Sequence, residues 1–134
     1  MLQTKEGDLF TGIRGPGIIV HGCNAQAVMG SGFAGHLRRL YPDAYRAYHN
    51  HATAHGLKVG DVIVHREPRK LLIVHAITQE FFGRDKETIY VSYAGVHDAL
   101  TKVARIAAEQ VPPLPVHLPF IGGGLANGDR DQLF

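Results

Sequence analysis

The sequence predicts an α/β fold from three observations: short β-branched runs alternate with helical stretches, two of those runs lead into glycine-rich turns, and no internal repeat or low-complexity tract interrupts the alternation. Strands and helices in this order form a mixed sheet covered by helices, with ligands received at strand carboxyl ends. At 134 residues the chain fits one domain spanning 1–134 and can bury roughly two-thirds of its unfolded surface.

Met1 to Thr4 reads as a short edge strand, and Gly17-Ile18-Ile19-Val20-His21 as a strand punctuated by Gly15, Pro16 and Gly22. From Phe33 to Tyr41 the apolar positions Phe33, Ala34, Leu37 and Leu40 recur at helical spacing, with Arg38 and Arg39 on the other face. Pro42 starts a second helix carrying Ala44, Tyr45 and Tyr48 and ending near Gly56. Two short apolar runs, Asp61 to His65 and Leu71 to Ala76, are joined by Glu67-Pro68-Arg69-Lys70 and read as strands linked by a hairpin or tight connection. Tyr93 to Gln110 carries Val96, Leu100, Val103 and Ala107 on one stripe, the pattern of an amphipathic helix lying on a sheet. Pro112, Pro113 and Pro115 end it, and Val116 to Phe120 makes a last strand before Gly122-Gly123-Gly124.

Composition narrows the function classes. The 14 basic and 12 acidic residues interleave to a net charge of +2, so no dense basic stripe marks sequence-specific nucleic-acid binding. The single cysteine, Cys23, allows no internal disulfide and suits a reducing compartment. No segment has the length and apolarity of a membrane span. The expectation is a soluble, cytoplasmic protein without membrane association.

The densest chemical signal is Val20-His21-Gly22-Cys23-Asn24 running into Val28-Met29-Gly30-Ser31-Gly32-Phe33-Ala34, a strand feeding a glycine-rich turn that opens a helix. Bare backbone amides at a helix amino terminus make a diphosphate site without a lysine. Gly30, Gly32 and Gly35 also satisfy G-x-G-x-x-G, but the acid expected about twenty residues downstream is missing, which argues against a Rossmann site. A lone glycine cluster is as well explained by a tight turn. The second cluster, Ile121-Gly122-Gly123-Gly124-Leu125 after another strand, changes that balance, because two such loops can flank one phosphorylated ligand.

His51 and His55 have the spacing of two ligands on one helix face, yet no third ligand is evident, and no metal or cofactor is expected. Cys23 lacks the nearby arginine of a cysteine phosphatase and reads as a structural thiol.

Gly7-Asp8-Leu9-Phe10, His21-Gly22-Cys23-Asn24, Met29-Gly30-Ser31-Gly32-Phe33-Ala34 and Ile121-Gly122-Gly123-Gly124-Leu125-Ala126-Asn127-Gly128-Asp129 together resemble the successive motifs of macro domains. Tyr41-Pro42, Ile77-Thr78-Gln79, Gly83-Arg84 and Tyr93 resemble the branch related to ADP-ribose 1''-phosphate phosphatases. The resemblance implies a three-layer α/β/α fold with a mixed central sheet, here without the family's usual last helix and strand. It implies ADP-ribose or ADP-ribose 1''-phosphate as the ligand, with ADP-ribosylated macromolecules as further partners.

Residue by residue, the resemblance implies that Asp8 and Leu9 meet adenine, that Asn24 touches the distal ribose, and that Val28 and Met29 wall the site. Gly30, Ser31, Gly32 and Phe33, with Gly122, Gly123, Gly124 and Leu125, would enclose the diphosphate and distal ribose. It implies catalysis by His21, with Asp129 the nearest carboxylate that could assist, since Gly122 stands where some phosphatases of the branch carry aspartate. For each of these, residue type alone allows a plainer role: a turn cap for Asp8, a helix cap for Asp129, core packing for Val28 and Met29, a core histidine bonded to a backbone carbonyl for His21. Thr78-Gln79-Glu80 stands where lysine-dependent hydrolases of the family carry lysine, which disfavours that chemistry. The competing expectations are an ADP-ribosyl ester hydrolase and a non-catalytic reader or scavenger of ADP-ribose.

Overall fold

The computed structural model describes residues 15–29, 32–83, 85 and 87–118; the strand expected at Met1 to Thr4 lies outside them. Four strands form one sheet among the described residues: β1 (Gly17–Asn24), β2 (Val62–Glu67), β3 (Leu71–Gln79) and β4 (Val116–His117), in the order β2-β3-β1-β4. β1 runs parallel to β3 and to β4, and β2 runs antiparallel to β3, so the sheet is mixed. Among the described residues there are also three helices, α1 (Gly32–Leu40), α2 (Pro42–His55) and α3 (Tyr93–Glu109).

Side-chain alternation sorts the sheet into two faces. Ile18, Val20, Leu72, Val74 and Ala76 pack against Val96, Ala99, Val103 and Ala107 of α3. On the opposite face, Cys23, Ile63 and Ile77 meet Tyr48 of α2, while Ile73 meets Leu37 of α1 and Ala44 of α2. The expected three-layer α/β/α arrangement is therefore what the described residues form.

The elements start and stop for local reasons. Pro42 fixes the first turn of α2, and Gly56 ends it at φ +73°, donating its N–H to Ala52. Ser92 caps α3, its Oγ accepting from the Gly95 N–H at 3.0 Å. Between β2 and β3 the turn is made by Arg69 and Lys70, both at positive φ, the backbone pair that the right-handed twist of a hairpin favours. Both hairpin strands run further than their apolar runs suggest, β2 to Glu67 and β3 to Gln79, because pairing with a neighbouring strand recruits polar residues that no hydrophobic pattern marks.

Candidate functional site

At the carboxyl end of β1 the ladder with β3 shifts register between Cys23 and Asn24: Cys23 pairs with Ile77, and Asn24 with Gln79. The irregularity re-aims the strand end. Strict alternation would turn Asn24 toward α3 with Val20, yet its side chain bonds Tyr48 of α2 on the other face.

From there Asn24 organises the loop that leads to α1. Its Oδ1 accepts from the Gln26 N–H at 3.0 Å and the Val28 N–H at 3.3 Å, and its Nδ2 donates to the Val28 carbonyl at 2.9 Å. These bonds bracket Ala27, which holds φ +63°, a left-handed backbone that costs a non-glycine residue about 1–2 kcal/mol. The loop is tied sideways to the end of β3, where the Ala25 N–H donates to Gln79 O and Gln26 Nε2 donates to Glu80 O. These bonds fix residues 24–28 against the ends of β1 and β3.

Beneath the loop, the parallel register sets His21 beside His75, and both rings point into the layer covered by α1 and α2. His75 Nε2 lies 2.8 Å from the Ala44 carbonyl, which can only accept, so Nε2 carries the proton and Nδ1 a lone pair. His21 Nε2 lies 2.6 Å from that Nδ1 and must donate to it. The Cys23 thiol completes the group at 3.7 Å from His21 Nδ1. All three residues are buried, and burial is the main cause of each perturbation. It holds His21 well below the usual histidine range, with His75 adding to the effect. It lowers His75 to about 4 against the bond to Ala44, and pushes the Cys23 thiol up.

His21, Cys23 and His75 also carry the donor atoms of a soft metal site. Two nitrogens on one tetrahedral zinc stand about 3.3 Å apart, given Zn–N bonds of about 2.0–2.1 Å, whereas these two share a proton at 2.6 Å. The trio is built as a hydrogen-bonded cluster of neutral groups.

The sequence-predicted site residues divide accordingly. Asn24 ends β1, and most of its amide is engaged in holding the shape of the loop that follows. Val28 stands half-exposed at the loop surface, while Met29 is buried among Cys23, Tyr48, Ile63 and Ile77. Gly32 opens α1 and Phe33 follows, its ring 5.9 Å from His21. Asp8, Leu9, Gly30, Ser31, Gly122, Gly123, Gly124, Leu125 and Asp129 lie outside the described residues. His75 and Tyr48 were missed by sequence reasoning. The signal for His75 was a second histidine inside an apolar strand run; Tyr48 read only as helix packing.

A mixed sheet covered by helices on both faces, its strand β1 flanked by β3 and β4, is an α/β layer architecture. Comparison of the sequence with family models and with curated proteins finds no match. Among solved structures, the chain is similar to a macrodomain protein of Streptomyces coelicolor, with 32% identity over 91% of this chain and 78% of that one and a TM-score of 0.69. It shares the fold of the macrodomain of Mycobacterium tuberculosis DarG, with a TM-score of 0.80, 22% identity and coverage of 99% and 84%. It shares the fold also of Thermosipho africanus DarTG in complex with ADP-ribose, with a TM-score of 0.69, 15% identity and coverage of 83% and 31%. The chain belongs to the macrodomain family. Among the described residues no helix is long and apolar enough to cross a membrane.

Proposed function

We propose that this chain, working as one domain over residues 1–134, binds ADP-ribose or a derivative of it at the carboxyl end of β1. The observation that carries this reading is the bonded Asn24 loop at the end of β1 with α1 beginning at Gly32 just after it, since the dipole at a helix amino terminus favours a diphosphate. Family membership and the ADP-ribose held by the Thermosipho africanus protein support the ligand class. Of the Asn24 amide, one Nδ2–H remains after the loop bonds, a donor suited to a ribose hydroxyl.

Within that reading the reaction is removal of the terminal phosphate of ADP-ribose 1''-phosphate. Water attacks phosphorus, the bond from phosphorus to the 1''-oxygen breaks, and that oxygen leaves as the ribose hydroxyl with a proton given up by the water, while the amino terminus of α1 stabilises the charge that develops. His21 serves this chemistry from below. Its Nε2 proton is committed to His75, burial keeps the ring neutral, and Phe33 and His75 enclose it, so it supports the strand end that carries Asn24 rather than moving a proton to water. The same arrangement favours a second reading, a reader that binds ADP-ribose without turnover, because the Nε2 proton of His21 is committed to His75.

The test is a calorimetric titration with ADP-ribose beside a phosphate-release assay on ADP-ribose 1''-phosphate, using wild type and His21→Gln. Binding with release retained at a tenth or more in His21→Gln supports hydrolysis with a supporting His21. Release abolished while the variant stays folded and binds would return His21 to catalysis, binding without release leaves the reader, and no binding by wild type overturns the proposal.

A further inference from the structure

We infer that Tyr45 and Tyr48, one turn apart on α2, are positioning residues that fasten the two ends of loop 24–29; this rests on the ADP-ribose reading of that loop. Residues three apart on a helix share a face, and here that face meets the loop with polar groups as well as packing.

Tyr48 holds the first end. It is fully buried, and its hydroxyl proton points between two oxygens of Asn24, the carbonyl at 2.6 Å and Oδ1 at 3.1 Å. The same Oδ1 accepts from the Gln26 and Val28 N–H groups, so the hydroxyl holds the side chain that brackets the left-handed turn at Ala27. Tyr45 holds the second end through Arg38. The Arg38 guanidinium lies over the Tyr45 ring, 3.9 Å from its centroid, and Nη1 donates to the Met29 carbonyl at 3.4 Å. The ring face confines a long side chain that would otherwise sample many rotamers, and so fixes the Met29 carbonyl.

The loop needs such fastening. A non-glycine residue at positive φ persists only where its surroundings over-determine it, and from within the loop the side chain of Asn24 bonds the loop backbone while that of Gln26 reaches out to Glu80. With α2 as an external clamp the loop holds its shape before a ligand arrives, and binding loses less to ordering.

The two tyrosines should answer differently to the same replacement. Phenylalanine keeps the ring that Arg38 needs at position 45 but removes the hydroxyl that Asn24 needs at position 48. The experiment compares amide hydrogen exchange at Gln26 and Val28, normalised to Ile73 in the centre of β3, and the ADP-ribose Kd, in wild type, Tyr45→Phe, Tyr45→Leu, Tyr48→Phe and the exposed α2 control Thr53→Ala. Tyr48→Phe and Tyr45→Leu are expected to speed normalised loop exchange and raise Kd by about three- to tenfold, one hydrogen bond's worth. Tyr45→Phe and Thr53→Ala are expected to match wild type in both. Loop exchange that only follows Ile73 in every variant, or that Tyr48→Phe leaves unchanged, overturns the clamp; should Tyr48→Phe fail to fold, Tyr45→Leu against Tyr45→Phe decides it. The exchange pattern is read without ligand, so a wild type that fails to bind ADP-ribose removes the functional reading while the exchange data still decide for or against the clamp.

Discussion

The two faces of the sheet are built on different principles. Toward α3 the layer is aliphatic, Ile18, Val20, Leu72 and Val74 against Val96, Ala99 and Val103, and its stabilisation comes from area removed from water. Toward α1 and α2 the same strands carry His21, His75, Cys23 and the Tyr48 contact to Asn24 among their apolar neighbours. A buried polar group is costly unless bonded, and each of these is bonded to another part of the layer, so this face exchanges some tolerance for a uniquely fixed strand end. The loop grows out of that face.

The largest effect expected from breaking this division is on the aliphatic side. Ile18→Ala, at a fully buried position, should cost about 2–5 kcal/mol in chemical denaturation while the ADP-ribose Kd stays within twofold. A Kd that moved in step with stability would mean that the faces are not separable.

Acid should act on the other side. An unfolded chain takes up protons on its histidines near pH 6.5, whereas folded His75 refuses its proton until about pH 4 and folded His21 lies lower than usual too. Protons therefore favour the unfolded state across this window: the contribution is intact above pH 6.5 and is lost as pH falls toward 4, on the order of 3 kcal/mol from His75 alone. Denaturation midpoints measured from pH 7.5 to 4.5 should show a slope that His75→Gln flattens, whatever its effect on absolute stability. An equal slope in the variant would place the acid sensitivity elsewhere.

Much of the fold was legible in the chain because its signals are local. The stripe of Val96, Leu100, Val103 and Ala107 marks α3, Pro42 and Gly56 bound α2, and the β-branched run at Ile18 to Val20 marks β1. What escaped depends on pairing across long separations. His21 and His75 are 54 residues apart, and only the β1–β3 register puts them side by side. Tyr48 lies 24 residues from Asn24, and its hydroxyl looks like any amphipathic helix position until the register shift at Cys23 turns Asn24 toward it. The glycine loops drew attention by composition, while the device that shapes loop 24–29 is an ordinary asparagine.

Two smaller effects sharpen the contrast within the polar face. Asn24→Ala should raise the ADP-ribose Kd about tenfold, since three loop bonds go with the amide, and should cost only about 1–2 kcal/mol of stability. Comparable binding by the variant would show that the loop keeps its shape without that side chain. Ala27→Gly should stabilise the protein by about 0.5 kcal/mol, because relief of the positive φ slightly exceeds the added entropy of the unfolded chain. A lower denaturation midpoint would contradict the strain assigned to Ala27.

The central claim, that a pre-shaped loop at the end of β1 receives ADP-ribose, is tested most directly by titrating wild type and Asn24→Ala with ADP-ribose in a calorimeter. Saturable one-to-one binding by wild type, weakened about tenfold in the variant, is the predicted result. Heats no larger than dilution for folded wild type, or equal affinity in the two proteins, would contradict it.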